Sequence, residues 1–71
     1  MNQKNEHPYI AVELIYISPR DGAQQYEDFT GCVYWLDGID KAKDVNVGDK
    51  GYLHYERDGS RGYFRFVKEK K

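Results

Sequence analysis

The stretch that decides the fold comes early in the chain, where residues 9–18 read YIAVELIYIS. Apolar side chains recur there at every second position, as they do on a strand whose side chains alternate between two faces. One face would carry Ile10, Val12, Leu14 and Tyr16. The other face holds a single charged residue, Glu13. Because neither face is strongly polar, the segment is predicted to be a central strand of a sheet or a strand whose second face is partly covered.

Three further segments have strand character. Residues 29–36 read FTGCVYWL, and Gly31 within them predicts a bulge or a sharp bend. Residues 51–56 and 62–67 are two alternating runs on either side of an Asp-Gly pair, which is typical of a β-hairpin.

Two intervening segments are ambiguous. Residues 23–28 are compatible with a ragged strand or a long loop. Residues 39–45 are compatible with one helical turn or with a loop that carries a short edge strand. The sequence therefore predicts four strands and leaves a fifth open.

The composition favours an all-β domain of small size. With 71 residues, the chain is long enough for one domain only. An open sheet this short leaves two bare edges, and closure into a barrel removes them. We therefore expect a small antiparallel five-stranded barrel over residues 9–68, a flexible tail over 1–8 and a charged end over 69–71.

One turn adds a resemblance at the level of fold. Residues 47–51 (Val-Gly-Asp-Lys-Gly), followed by a strand and a hairpin, resemble the turn common in SH3-like small barrels. The resemblance implies an SH3-like barrel, with an OB-like barrel as the second choice. It implies no activity and no ligand-binding residues.

The alternation also predicts the core. Pairing the two hairpin strands in register directs one set of side chains inward, together with the apolar face of residues 9–18 and Val33. The predicted core is Ile10, Val12, Leu14, Val33, Leu53, Tyr55, Phe64 and Phe66. Gly31 can shift the register and exchange Val33 with its neighbours. Cys32 is predicted to be a buried structural residue.

Cysteine and hydropathy indicate the compartment. The single cysteine cannot form an intramolecular disulfide, and small secreted domains usually need such links. Residues 1–7 are polar and show no apolar leader region, and no apolar run approaches the ~20 residues that span a bilayer. We therefore expect a cytoplasmic protein that does not associate with membranes.

No motif indicates an enzyme. His7, Cys32 and His54 are not at metal-ligand spacing, and the sequence has neither a nucleophile elbow nor a phosphate-binding loop. The carboxylates between Asp37 and Asp49 are spread over turn-rich sequence, as solvated loop charges are. We expect no catalytic residues, no metal and no cofactor.

The C-terminal hairpin supplies the candidate binding face. If Phe64 and Phe66 point inward, the alternate side chains must point outward. The predicted partner-binding residues are Tyr52, His54, Tyr63 and Arg65, with Trp35 as an addition. Alternatively, these side chains only decorate a solvated surface as cross-strand pairs.

Two functions from different classes fit such a face. Tyr, Trp and Arg are common anchors of protein interfaces, which favours an interaction module that inhibits or adapts a larger protein. Phage-encoded host-takeover or anti-defence proteins are an analogous class in size and style. Aromatic rings interleaved with basic groups also suit single-stranded nucleic acid. The net charge of −1 counts against nucleic acid, whereas the net charge of +4 over residues 50–71 counts for it. The sequence does not indicate the oligomeric state.

Overall fold

Five antiparallel strands form one sheet in the computed structural model, which describes residues 9–69. In chain order the strands are β1 (Ile10–Ile17), β2 (Gln24–Asp28), β3 (Val33–Leu36), β4 (Lys50–Asp58) and β5 (Arg61–Lys68). Their order across the sheet is β3-β2-β1-β4-β5. The all-β antiparallel prediction is thus confirmed, and β1 is the central strand. The predicted tail over residues 1–8 and the last two residues of the predicted charged end lie outside the described residues.

The predicted closure into a barrel is wrong. Within residues 9–69, β3 and β5 are the two edges of the sheet and do not pair with each other. The sheet nevertheless curls around its core. The rings of Tyr26 on β2 and Phe66 on β5 have centroids 4.6 Å apart, and those of Tyr34 on β3 and Phe64 on β5 are 5.7 Å apart.

The connection between β3 and β4 covers the interior in place of barrel closure. It contains a single 3₁₀ turn, Gly38–Asp40, and then runs as irregular chain in which Ala42 and Val45 pack against the core. Gln24, a buried polar residue of β2, fixes this connection. Its Nε2 donates to the Ala42 carbonyl at 2.9 Å, and its Oε1 accepts from the Ala42 N–H at 2.9 Å.

Ion pairs join the same connection to β5. Arg61 contacts Asp40 at 2.6 Å near the hairpin end, and Lys68 contacts Asp49 at 3.4 Å at the opposite end of the strand. The predicted turn at residues 47–51 lies beside β1, where the N–H of Gly48 donates to the carbonyl of Leu14. The connection therefore contacts β5 at both ends of the strand.

Most of the predicted core is confirmed. Val12, Leu14, Leu53 and Phe66 are buried, and Ile10 and Phe64 pack against them as partly buried residues. Tyr55 is half-buried, with its ring 5.6 Å from that of Phe64. The prediction missed four buried residues on β2, β3 and the turn before β2: Ala23, Gln24, Tyr26 and Leu36.

The second predicted strand is shorter than its apolar run. Residues 29–32 form a turn, and β3 begins only at Val33. This start directs Tyr34 and Leu36 inward and leaves Val33 42% exposed, so the placement of Val33 in the core is wrong. The predicted burial of Cys32 is also wrong, because Cys32 lies exposed in the turn.

A bulge corrects the face predicted for Tyr16. The pairing of β1 with β2 shifts between Leu14 and Tyr16, so Tyr16 pairs with Gln25 and Ile17 pairs with Gln24. Tyr16 is consequently exposed, while Ile17 packs against the core. A strict alternation over the whole strand cannot anticipate an inserted residue.

Asp28 organises the turn between β2 and β3. Its Oδ1 accepts hydrogen bonds from the Thr30 N–H at 2.9 Å, the Thr30 hydroxyl at 2.6 Å and the Cys32 N–H at 3.0 Å. Its Oδ2 accepts from the Tyr34 hydroxyl at 3.0 Å. These donors, the Thr30 hydroxyl first among them, lower the pKa of Asp28 below its ordinary value.

The lowered pKa of Asp28 has a defined pH signature. A carboxyl whose pKa is lower in the folded state stabilises the fold above its unfolded pKa of about 3.9, and this contribution is lost as the pH falls through the folded pKa. We expect Asp28→Asn to be less stable than the parent near neutral pH, and the difference to shrink below about pH 4. Urea unfolding over a pH series measures this, with Asp37→Asn, an exposed aspartate, as the control. A difference independent of pH would contradict the role of the Asp28 charge.

Candidate functional site

The face of the sheet opposite the core, called the outer face below, carries the predicted binding residues of the hairpin. His54 pairs with Arg65, and Glu56 pairs with Tyr63. Leu53 and Phe66 pair with each other and point to the core, and this pair lies between the Tyr52–Val67 pair and the His54–Arg65 pair. Tyr52, His54, Tyr63 and Arg65 therefore share one face, as the alternation predicts.

Glu56 links three of these residues. The Arg65 Nε donates to Glu56 Oε2 at 2.7 Å, and the Tyr63 hydroxyl donates to Glu56 Oε1 at 3.4 Å. His54 Nδ1 lies 3.5 Å from the same Oε2. Glu56 was absent from the predicted site, although its place between His54 and Arg57 on an alternating strand already puts it on this face.

The electrostatics of this group are local. The hydrogen bond from Arg65, followed by the approach of His54, lowers the pKa of Glu56. Reciprocally, Glu56 raises the pKa of the Arg65 guanidinium. Each charge is therefore largely compensated by its neighbour, and Arg65 does not present an unpaired cation to solvent.

Tyr9, which immediately precedes β1, completes an aromatic cluster. Its ring stacks on His54 with centroids 4.2 Å apart and planes 16° apart, and it meets Tyr52 edge-on at 6.3 Å. Stacking covers His54 Nδ1, which has no hydrogen-bond partner among the described residues, since its approach to Glu56 lacks hydrogen-bond geometry. Tyr9 begins the alternating stretch of residues 9–18, on the face opposite Ile10, but it is not among the predicted site residues.

Trp35 lies at the opposite corner of the outer face. Its ring meets that of Tyr16 edge-on, with centroids 6.5 Å apart. Across the sheet, β3 and β4 are three strand spacings apart, which is about 14 Å. Along β1, Tyr16, which contacts Trp35, is about 17 Å from Ala11, which pairs with Tyr52. The structure therefore does not bring Trp35 together with the other four predicted residues.

Charged side chains of both signs also occupy the rest of the outer face. Glu13 on β1 pairs with Lys50 on β4 and with Glu27 on β2. At the hairpin end, Arg61 stacks over the Tyr63 ring, with its guanidinium carbon 4.6 Å from the centroid, but also binds Asp40. The outer face is an aromatic surface with charges of both signs, rather than a basic one.

Comparison with protein-family models, curated proteins and solved structures gives no match to this chain. Within residues 9–69, no cluster of three or more His, Cys, Asp or Glu side chains is placed to hold a metal ion. No helix in that part of the chain has the length and apolarity needed to cross a membrane.

Proposed function

We propose that this chain is a non-enzymatic interaction module that binds a larger protein through the outer face of β1, β4 and β5. The observation that carries the proposal is the cluster of Tyr9, Tyr52 and His54 beside the Glu56 hydrogen-bond group. Its rings are held in place before any partner arrives, so little side-chain entropy is lost on binding. Tyr and Arg are also enriched among residues that dominate binding energy.

The pairing of Arg65 with Glu56 favours a protein partner over a nucleic acid. Phosphate binding depends on cations that replace condensed counterions, and Arg65 is already neutralised by a carboxylate 2.7 Å away. Glu13 and Glu27 on the same face would repel a phosphate backbone. A neutral, aromatic surface is better suited to a protein interface with a polar rim.

The mode of action we propose is inhibition or adaptation, in which a small domain occupies a surface of its partner. The analogy with phage-type host-takeover or anti-defence proteins rests on size and composition alone. A cytoplasmic location accompanies the proposal, because an exposed single cysteine suits a reducing compartment.

A finer assignment of fold supports a second candidate function. The OB-fold is a partly open five-stranded Greek-key barrel that would close between its third and fifth strands, and these are the two edges here. We therefore infer that the OB-like alternative fits the strand order better than the SH3-like one. OB-folds bind oligonucleotides on their second and third strands and adjoining loops. Here that region offers Trp35 and Tyr16 beside Arg20 of the β1–β2 turn, which supports single-stranded nucleic-acid binding as the alternative.

A paired set of variants tests the main proposal. The partner is first identified by cross-linking in the native cell and then purified. Its affinity is measured by titration with the parent protein and with the double variant Tyr52→Ser/Arg65→Ser. We expect this double variant to remain folded, because surface changes usually cost within about 0.5 kcal/mol. Its affinity should fall about 30-fold, corresponding to a loss of about 2 kcal/mol at anchor residues.

Tyr16→Ser, an aromatic replacement at the opposite corner, is the control and should bind like the parent protein. Equal losses for both variants, or a loss for Tyr16→Ser alone, would overturn the assignment to β4 and β5. Titration with a single-stranded oligonucleotide at low and high salt tests the alternative. Tight binding that weakens steeply with salt would favour nucleic acid.

A further inference from the structure

The free edge of β3 differs from the other edge of the sheet. β5 is flanked by the β3–β4 connection and carries Arg61, Arg65 and Lys68. β3 has β2 on one side and no strand of the described chain on the other. Residues 29–36 contain no charged side chain, whereas exposed edge strands normally carry charges that prevent pairing with another chain.

The hydrogen-bond pattern shows which backbone groups face the open side. The N–H of Asp28 donates to the carbonyl of Cys32, and alternate residues of an antiparallel strand then bond to the same neighbour. Tyr34 and Leu36 consequently direct their N–H and C=O groups towards β2. Those of Val33 and Trp35 point away from the sheet, and the side chains of both residues are exposed.

These free groups are complementary to a second copy of the same strand. An antiparallel copy centred on Tyr34 would place Val33 opposite Trp35 of the other copy, and Trp35 opposite Val33. Each such pair exchanges two backbone hydrogen bonds, and a pair of an aromatic and a β-branched residue is a favourable cross-strand combination.

The same two-fold axis accounts for the most exposed apolar side chains of the described chain. Phe29 is 93% exposed and Ile39 is 86% exposed, and they lie five residues before and five residues after Tyr34. The antiparallel arrangement brings the Phe29 end of one copy beside the Ile39 end of the other. A symmetric contact that extends beyond β3 at both ends would therefore reach both side chains.

We propose that β3 is a self-association site, at which two copies join their β3 edges around Tyr34 into one continuous sheet. Phe29, Val33, Trp35 and Ile39 leave about 550 Å² of side chain open per copy, so the pair would cover about 1,100 Å². Complete burial of these four side chains would therefore just exceed the ~1,000 Å² expected of a specific interface, which is enough for a small dimer contact. An uncharged edge suits a second copy, because no like charges meet across the axis.

Sedimentation equilibrium of the full chain over a concentration series tests the proposal. We expect the dimer fraction to rise with concentration, and Val33→Lys to raise the dissociation constant at least about tenfold by placing a charge at the joined edges. Val47→Lys, the same substitution at an exposed valine outside the sheet, should dimerise like the parent protein. Circular dichroism tests whether each variant is folded. If Val33→Lys is unfolded, Trp35→Lys takes its place.

A nitroxide label on Cys32 tests the geometry, because the antiparallel arrangement puts the two Cys32 Cα atoms about 14 Å apart. A monomer at all concentrations, a dimer unaffected by Val33→Lys, or a label separation that the Cα spacing of about 14 Å and the two label arms cannot span would each overturn the proposal. None of these outcomes depends on whether the β4–β5 surface binds another protein.

Discussion

Replacing Tyr26 by alanine is expected to unfold the protein. Tyr26 is fully buried on β2, and its ring contacts Phe66 of the far edge strand. Removing a buried aromatic ring costs about 3–5 kcal/mol. A single core of this size rarely supplies more than about 3–5 kcal/mol in total. Thermal and urea unfolding followed by circular dichroism should show no cooperative transition for Tyr26→Ala.

Two further variants separate the ring from its hydroxyl. The Tyr26 hydroxyl donates to Gln24 Oε1 at 2.9 Å, and burial raises the pKa of Tyr26, so the group remains a neutral donor. Tyr26→Phe should lose only about 1 kcal/mol, the typical net value of one hydrogen bond. Tyr16→Ala, at an exposed ring, should be close to neutral. A folded Tyr26→Ala with an unchanged midpoint would show that the sheet does not curl around this side chain.

Gly51→Ala is expected to cause the second large loss of stability. Gly51 is buried on β4, between β1 and β5. An added Cβ would collide with the backbone carbonyl of Val67 and lie 2.8 Å from two atoms of the Phe66 ring. A backbone carbonyl within a paired strand cannot move aside, so we expect a cost of about 3 kcal/mol, as for an overpacked core.

Gly62→Ala on the neighbouring strand is the matched control. There the added Cβ would meet the hydroxyl, Cζ and Cε1 atoms of Tyr55 but no backbone atom, and a half-buried side chain shifts at less cost than the carbonyl of a paired strand. The loss should be smaller, about 1 kcal/mol, because no backbone atom has to move, while the reduced entropy of the unfolded chain favours both variants alike. Urea midpoints of the two variants give the comparison. Equal losses would mean that the collision with the Val67 carbonyl does not determine the effect at Gly51.

The sequence was sufficient for the parts of the fold that depend on strict alternation. Both faces of the hairpin and the inward residues of β1 up to Leu14 follow from a period of two. That is also why Tyr52, His54, Tyr63 and Arg65 are predicted on one surface. Glu56 pairs with Tyr63 on the same surface, so the alternation also predicts the position of the carboxylate that binds Tyr63 and Arg65.

The wrong predictions, namely barrel closure and the burial of Val33 and Cys32, arise where a polar side chain binds the backbone and sets its course independently of the apolar pattern. Asp28 captures the backbone and hydroxyl of Thr30 and the backbone of Cys32, which shortens β3 and exposes Phe29 and Val33. Gln24 binds Ala42 across 18 positions of chain, and this contact helps the connection to cover the core without barrel closure. Hydrogen bonds of this kind leave no periodic pattern in the sequence. The sequence therefore could not predict that residues 24–28 form a strand or that the sheet stays open at β3.

The central place of β1 also constrains the order in which the chain assembles. β1 pairs on one side with the strand that follows it, but on the other side with β4, so that Ile10 lies opposite Leu53. The strands from residue 10 to 36 are joined by short turns, as are those from 50 to 68. Each group can form from contacts close in sequence, whereas joining them requires the closure of one long loop. Folding should therefore be limited by the meeting of β1 and β4, a single event of high contact order between two preformed meanders.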